Sequence, residues 1–88
     1  MTSQKVTIKL KLGLHARPAG MFAKLAQSYQ CDVKVKCDNK EFNAKSIMEV
    51  MALGAKYGSQ LEIICNGQDE NIALQKLVAA INSNFGGQ

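Results

Sequence analysis

Residues 5–19, Lys5-Val6-Thr7-Ile8-Lys9-Leu10-Lys11-Leu12-Gly13-Leu14-His15-Ala16-Arg17-Pro18-Ala19, change their hydrophobic period halfway along. Up to Leu12, the apolar Val6, Ile8, Leu10 and Leu12 alternate with Lys5, Thr7, Lys9 and Lys11, the period-2 pattern of a half-buried strand over 5–12. Beyond it Met21, Phe22, Leu25, Ala26 and Tyr29 recur at helical spacing. Pro18 suits the first turn of that helix, where its fixed φ helps and its missing N–H is not needed. The only histidine and the only proline of the chain thus stand at a strand-to-helix junction, with His15 at or just before the helix N-terminus.

That position has a definite chemistry. Free backbone N–H groups and the positive end of the helix dipole attract anions, and the guanidinium of Arg17 can grip two phosphate oxygens. A positive neighbourhood disfavours the imidazolium and leaves a neutral ring whose lone pair can attack phosphorus. His15 as nucleophile, Arg17 as clamp and the backbone amides of Ala16 and Arg17 then lie within three residues of one another. On spacing alone, a surface or capping histidine is the commoner alternative.

Working outward, Cys31-Asp32-Val33-Lys34-Val35-Lys36-Cys37 reads as a second strand with Cys31, Val33, Val35 and Cys37 inward. Asp38-Asn39-Lys40 supplies a tight turn and a short third strand runs through Phe42. Ser46-Ile47-Met48-Glu49 has the form of a capping box, in which Ser46 accepts from the Glu49 amide and the Glu49 carboxylate reaches back to the Ser46 amide. Ile47, Met48 and Met51 follow on a short helix, where core burial is the default for apolar residues at that spacing. Leu61, Ile63 and Cys65 alternate with Gln60, Glu62 and Ile64 in a fourth strand. Asp69 is placed to cap a last helix with the apolar stripe Leu74, Leu77, Val78, Ile81 and Phe85, and Ser83-Asn84 with Gly86-Gly87-Gln88 predict a frayed end.

Bulk properties narrow the classes. Eighty-eight residues, 47% apolar, suit one small domain over 1–88 with a single modest core. No apolar run approaches the roughly 20 residues of a membrane span, and Met1-Thr2-Ser3-Gln4 leads into a strand, so a cytoplasmic location is expected. Cys31, Cys37 and Cys65 are odd in number and lack CxxC spacing, which argues against a disulfide framework. Cys31 and Cys37 lie about 20 Å apart at strand rise, too far to share a zinc ion, so no metal is expected. The net charge of +4 could suit nucleic acid, with Lys5, Lys9, Lys11, Lys34 and Lys36 forming one basic sheet face. No aromatic residue interleaves those lysines to stack bases, so the charge points instead to acidic protein partners. Periodicity gives an α+β class with helices on one face of an antiparallel sheet.

Gly13-Leu14-His15-Ala16-Arg17-Pro18-Ala19 resembles the active-site signature of HPr, the histidine-containing phosphocarrier family of the bacterial phosphoenolpyruvate-dependent sugar phosphotransferase system. Asn43 to Gly54 resembles the family's second signature, around its regulatory serine, and Gly67 to Leu74 the start of its last helix. The resemblance implies an open-faced β-sandwich of order βαββαβα, with four strands and three helices on one side. It implies a monomeric phosphocarrier without cofactors that takes a phosphoryl group on His15 from enzyme I and passes it to IIA domains. By position it makes Ile47, Met48 and Met51 contact residues for these partners, and Met21 more weakly. It also makes Ser46 the target of a dedicated kinase/phosphorylase, acting on a transcriptional regulator, which is the alternative role. Glu49 departs from the glycine or lysine that the resemblance leads one to expect, and a carboxylate in this first turn repels a phosphoserine.

Overall fold

The computed structural model describes residues 1–86. Its elements are β1 (Thr2–Thr7), α1 (Ala16–Gln27), β2 (Asp32–Cys37), β3 (Lys40–Asn43), α2 (Ile47–Ala52), β4 (Gln60–Asn66) and α3 (Glu70–Asn82), closed by a 3₁₀ turn at Asn84–Gly86. The strands form one sheet in the order β1-β4-β2-β3, every pair antiparallel. In the central pair Val33 lies opposite Cys65 and Val35 opposite Ile63, and all four side chains are buried. Phe22, Ala23 and Ala26 of α1, Val50 of α2, and Leu74, Leu77 and Ile81 of α3 join the same core. The opposite face of the sheet is left open, which makes the architecture an α+β open-faced sandwich.

The strand expected over 5–12 ends at Thr7. Ile8 still exchanges hydrogen bonds with the loop before β4, donating to the Ser59 carbonyl at 2.9 Å and accepting from Gly58 N–H at 2.7 Å. The chain then leaves the sheet, and only the first part of the alternation survives: Ile8 and Leu10 are buried, whereas Leu12 is 80% exposed. Lys9 and Lys11 leave the sheet with it. The open face is therefore not the basic surface expected, because Glu62 lies between Lys5 and Lys36 in register and accepts from Ser3 Oγ at 3.0 Å.

The turn between β2 and β3 follows its sequence, with Asp38 at φ 52 and Asn39 at φ 67 in a two-residue hairpin. Asp69 does stand at the N-cap of α3, but its side chain caps nothing there. Its two carboxylate oxygens accept instead from the backbone N–H groups of Gln30 and Cys31, at 2.8 and 2.9 Å, tying α3 to the entry of β2. These bonds, Gln30's first, hold the carboxyl below its ordinary 3.8. Cys31 and Cys65 are buried free thiols and Cys37 is half-buried. Burial, and then the neighbouring Cys31, push the Cys65 thiol up to about 12.

Where fraying was expected from Ser83, the described residues run on into a 3₁₀ turn as far as Gly86. Phe85 sits beyond α3 rather than on its stripe, in the 3₁₀ turn, and meets Phe22 edge to face with ring centroids 6.4 Å apart. Gly87 and Gln88, the last part of that expectation, lie outside the described residues.

Candidate functional site

Gly13 aims the loop that carries His15. Its φ of +72 lies in the left-handed region, and a Cβ there would stand 2.4 Å from the Ala55 carbonyl oxygen. That closeness lets Leu14 N–H donate to the same carbonyl at 3.0 Å, while Gly13 N–H closes the preceding turn on Leu10 at 2.9 Å. With Leu14 buried as an anchor, the chain enters α1 with His15 exposed at the N-cap, its backbone extended at φ −79 and ψ −171.

The donors left over at this helix end follow from the sequence. An α-helix leaves its first four N–H groups without intrahelical partners. His15 N–H is taken by the Gly13 carbonyl at 3.0 Å, and Pro18 has none to offer. Among the described residues, Ala16 and Arg17 are left with the two free amides. The imidazole makes no capping bond, the first turn holds no acidic residue, and the His15 carbonyl accepts from Ala19 N–H at 2.9 Å. Beside this end lies a cleft of about 300 Å³ lined by Leu10, Lys11, Leu12, His15, Arg17, Pro18, Met21, Asn84 and Phe85. No carboxylate borders it among the described residues, and its charged lining is Lys11 and Arg17, set among the apolar Leu10, Leu12, Pro18, Met21 and Phe85.

The second group of expected residues lies outside this cleft. Ser46 caps α2, its Oγ accepting from Glu49 N–H at 3.3 Å. The reciprocal half of the box differs from expectation: Glu49 Oε1 accepts from Asn43 N–H at 2.9 Å, and Ser46 N–H turns to the Asn43 carbonyl at 3.2 Å. Ile47, Met48 and Met51 are 45, 82 and 45% exposed, against the default of core burial, while Val50 alone on α2 is buried. The loop after α2 is fastened to the His15 loop through Ala55 and Leu14, which links the exposed helix to the histidine. Leu12 and Met21 add apolar exposure on the cleft itself. The alternation pointed Leu12 inward, and its only warning was its place next to Gly13.

A solvent-facing histidine at a helix N-cap, with two free amides and an arginine beside it, puts this open-faced sandwich in the class of small α+β domains with a helix end suited to an anion. The comparisons with known proteins narrow that class. The family described as "PTS HPr component phosphorylation site" matches residues 2–83, and the chain belongs to this HPr family of the phosphotransferase system. It is 44% identical over 81 residues to the HPr-like protein Crh of Bacillus subtilis, covering 92% of this chain and 95% of that one. It is 40% identical over 86 residues to the phosphocarrier protein HPr of Cupriavidus necator, covering 98% and 97%. Among solved structures, HPr-C-His from Thermoanaerobacter tengcongensis superposes with a TM-score of 0.96 at 42% identity, over 100% of this chain and 99% of that one. An HPr dimer from the same organism matches with a TM-score of 0.79 at 42% identity, over 99% of this chain and 100% of its own.

Proposed function

We propose that this HPr-family chain carries a phosphoryl group on His15, taking it from phospho-enzyme I and passing it to IIA domains. The observation that supports it most is the unengaged His15 side chain at the N-cap of α1, beside the two free amides and Arg17. In the transfer, Nδ1 of neutral His15 attacks phosphorus in line as the phosphorus–nitrogen bond of the donor phosphohistidine breaks. The donor ring leaves with that electron pair, and the proton on His15 Nε2 stays in place. Arg17 and the amides of Ala16 and Arg17 stabilise the equatorial oxygens, and positioning with electrostatics is most of what phosphoryl transfer requires. The same steps in reverse order of roles unload the carrier, which turns over stoichiometrically and uses no cofactor or metal.

Ile47, Met48 and Met51, with Met21 and Leu12, supply an apolar docking surface on this reading, and flexible thioethers suit several partners in turn. The net charge speeds encounter with acidic partner surfaces rather than with nucleic acid or membrane. No helix among the described residues is long and apolar enough to cross a membrane. The relay places the chain in the cytoplasm with its partners. His15, Arg17 and both amides come from one loop of one chain, so the working unit is a monomer, even though a relative has been solved as a dimer.

The similarity to Crh favours a second reading, regulation through Ser46 by a kinase/phosphorylase and a transcriptional partner. A relay assay separates the two. With labelled phosphoenolpyruvate, enzyme I and a IIA domain, label reaches the IIA domain through wild-type protein and through Ser46→Ala, and stops at enzyme I with His15→Ala. Passage unaffected by His15→Ala would contradict the carrier reading.

A further inference from the structure

The 3₁₀ turn after α3 brings a strained backbone and an unsatisfied polar atom to the His15 cleft. Asn84 at φ 52 and Phe85 at φ 56 are both left-handed, a conformation that asparagine tolerates and a bulky aromatic residue seldom enters. The edge-on contact of Phe85 with Phe22 holds the turn back against α1. Asn84 Oδ1 is shut off from solvent with no hydrogen-bond partner among the described residues, an unfavourable state for a carbonyl oxygen. Asn84 and Phe85 line the same cleft as His15 and Arg17. Strain and an orphaned polar atom that coincide beside a reactive group are characteristic of a functional position.

We propose that Asn84 is a positioning residue of the phosphoryl site. When His15 is loaded, the Asn84 NH₂ donates to a phosphoryl oxygen and its carbonyl oxygen accepts an N–H of the Arg17 guanidinium. The inference rests on the carrier reading. An amide suits the place because it carries both a donor and an acceptor. It orients Arg17 without neutralising it, whereas a carboxylate at 84 would cancel the guanidinium charge and repel the phosphoryl dianion.

Two variants tolerate the left-handed backbone of residue 84 and so keep the fold: Asn84→Gly deletes the amide, and Asn84→Asp replaces it with a charge of similar shape. His15 is loaded both from enzyme I with phosphoenolpyruvate and from phosphoramidate, a chemical donor that needs no docking surface. Loss of one hydrogen bond to a charged group slows loading by about tenfold in Asn84→Gly with either donor, and Asn84→Asp is slower still. In labelled wild-type protein the Asn84 side-chain amide resonances shift when His15 is phosphorylated, which a merely structural turn would not produce. Loading of both variants within twofold of wild type, or unmoved amide resonances, would overturn the inference while leaving the carrier reading intact. Wild-type protein that loads from neither donor would overturn both.

Discussion

Replacing Gly13 with alanine should unseat the histidine loop, and the size of the effect follows from two distances. A non-glycine residue at φ +72 costs about 1–2 kcal/mol. The new methyl would stand 2.4 Å from the Ala55 oxygen, inside any real contact distance, so the loop must retreat. Retreat breaks the 3.0 Å bond from Leu14 N–H to Ala55, worth about 1 kcal/mol. The sum, about 2–3 kcal/mol, lowers the melting temperature of a domain this size by roughly 10–20 °C. Gly20 is an internal control: it lies inside α1, where a Cβ meets nothing within 4 Å. Gly20→Ala therefore stabilises by about 0.5–1 kcal/mol, alanine being the better helix former. Calorimetry on the two variants gives shifts of opposite sign. Because the retreat displaces His15, Gly13→Ala also slows loading from phosphoramidate under conditions where it remains folded, while Gly20→Ala does not. A Gly13→Ala protein that melts within 3 °C of wild type would refute the idea that Gly13 sets the loop against Ala55.

Three further outcomes follow from the observed contacts. Ser46→Ala should cost about 1 kcal/mol of stability by loss of the N-cap, and Ser46→Asp, mimicking a phosphate, should be better tolerated with Glu49→Gln than with Glu49 present; a thermal double-mutant cycle with no coupling would contradict this. Asp69 is held below its ordinary carboxyl value in the fold, so its stabilisation is present above that value and lost as pH falls through the lower one. Urea midpoints should therefore drop more steeply between pH 5 and about 2 for wild type than for Asp69→Asn, and parallel curves would remove Asp69 from the account. Burial raises all three thiols, so access decides their order: a thiol reagent at pH 8 should label the half-buried Cys37 in the folded protein, and the buried Cys31 and Cys65 only on unfolding.

The legible parts of this chain were those decided by neighbours in sequence. Alternation in Val33, Val35 and in Leu61, Ile63, Cys65 gave the central strands, and Pro18 gave the start of α1, because period and local φ constraints act within a few residues. The alternation from Val6 to Leu12 overshot, since a pattern of side chains cannot register where the backbone loses its partner strand. Capping residues misled in the same way. In sequence Glu49 and Asp69 face the nearest orphan amides, but each carboxylate takes donors from elsewhere, Asn43 at the end of β3 or Gln30 and Cys31 before β2, a choice made by tertiary packing. At the site, His15, Arg17 and the two amides were readable because one turn of chain holds them all. Asn84 was not, because it reaches the cleft only through the packing of Phe85 on Phe22.

The most direct test of the central claim is intact-mass analysis after incubation with phosphoenolpyruvate and enzyme I, with the acid and alkali stability of any phosphate determined in parallel. A single added phosphoryl group, labile in acid, stable in alkali and lost with His15→Ala, is the predicted result. An unmodified wild-type chain, beside a known carrier loaded by the same enzyme I, would contradict it.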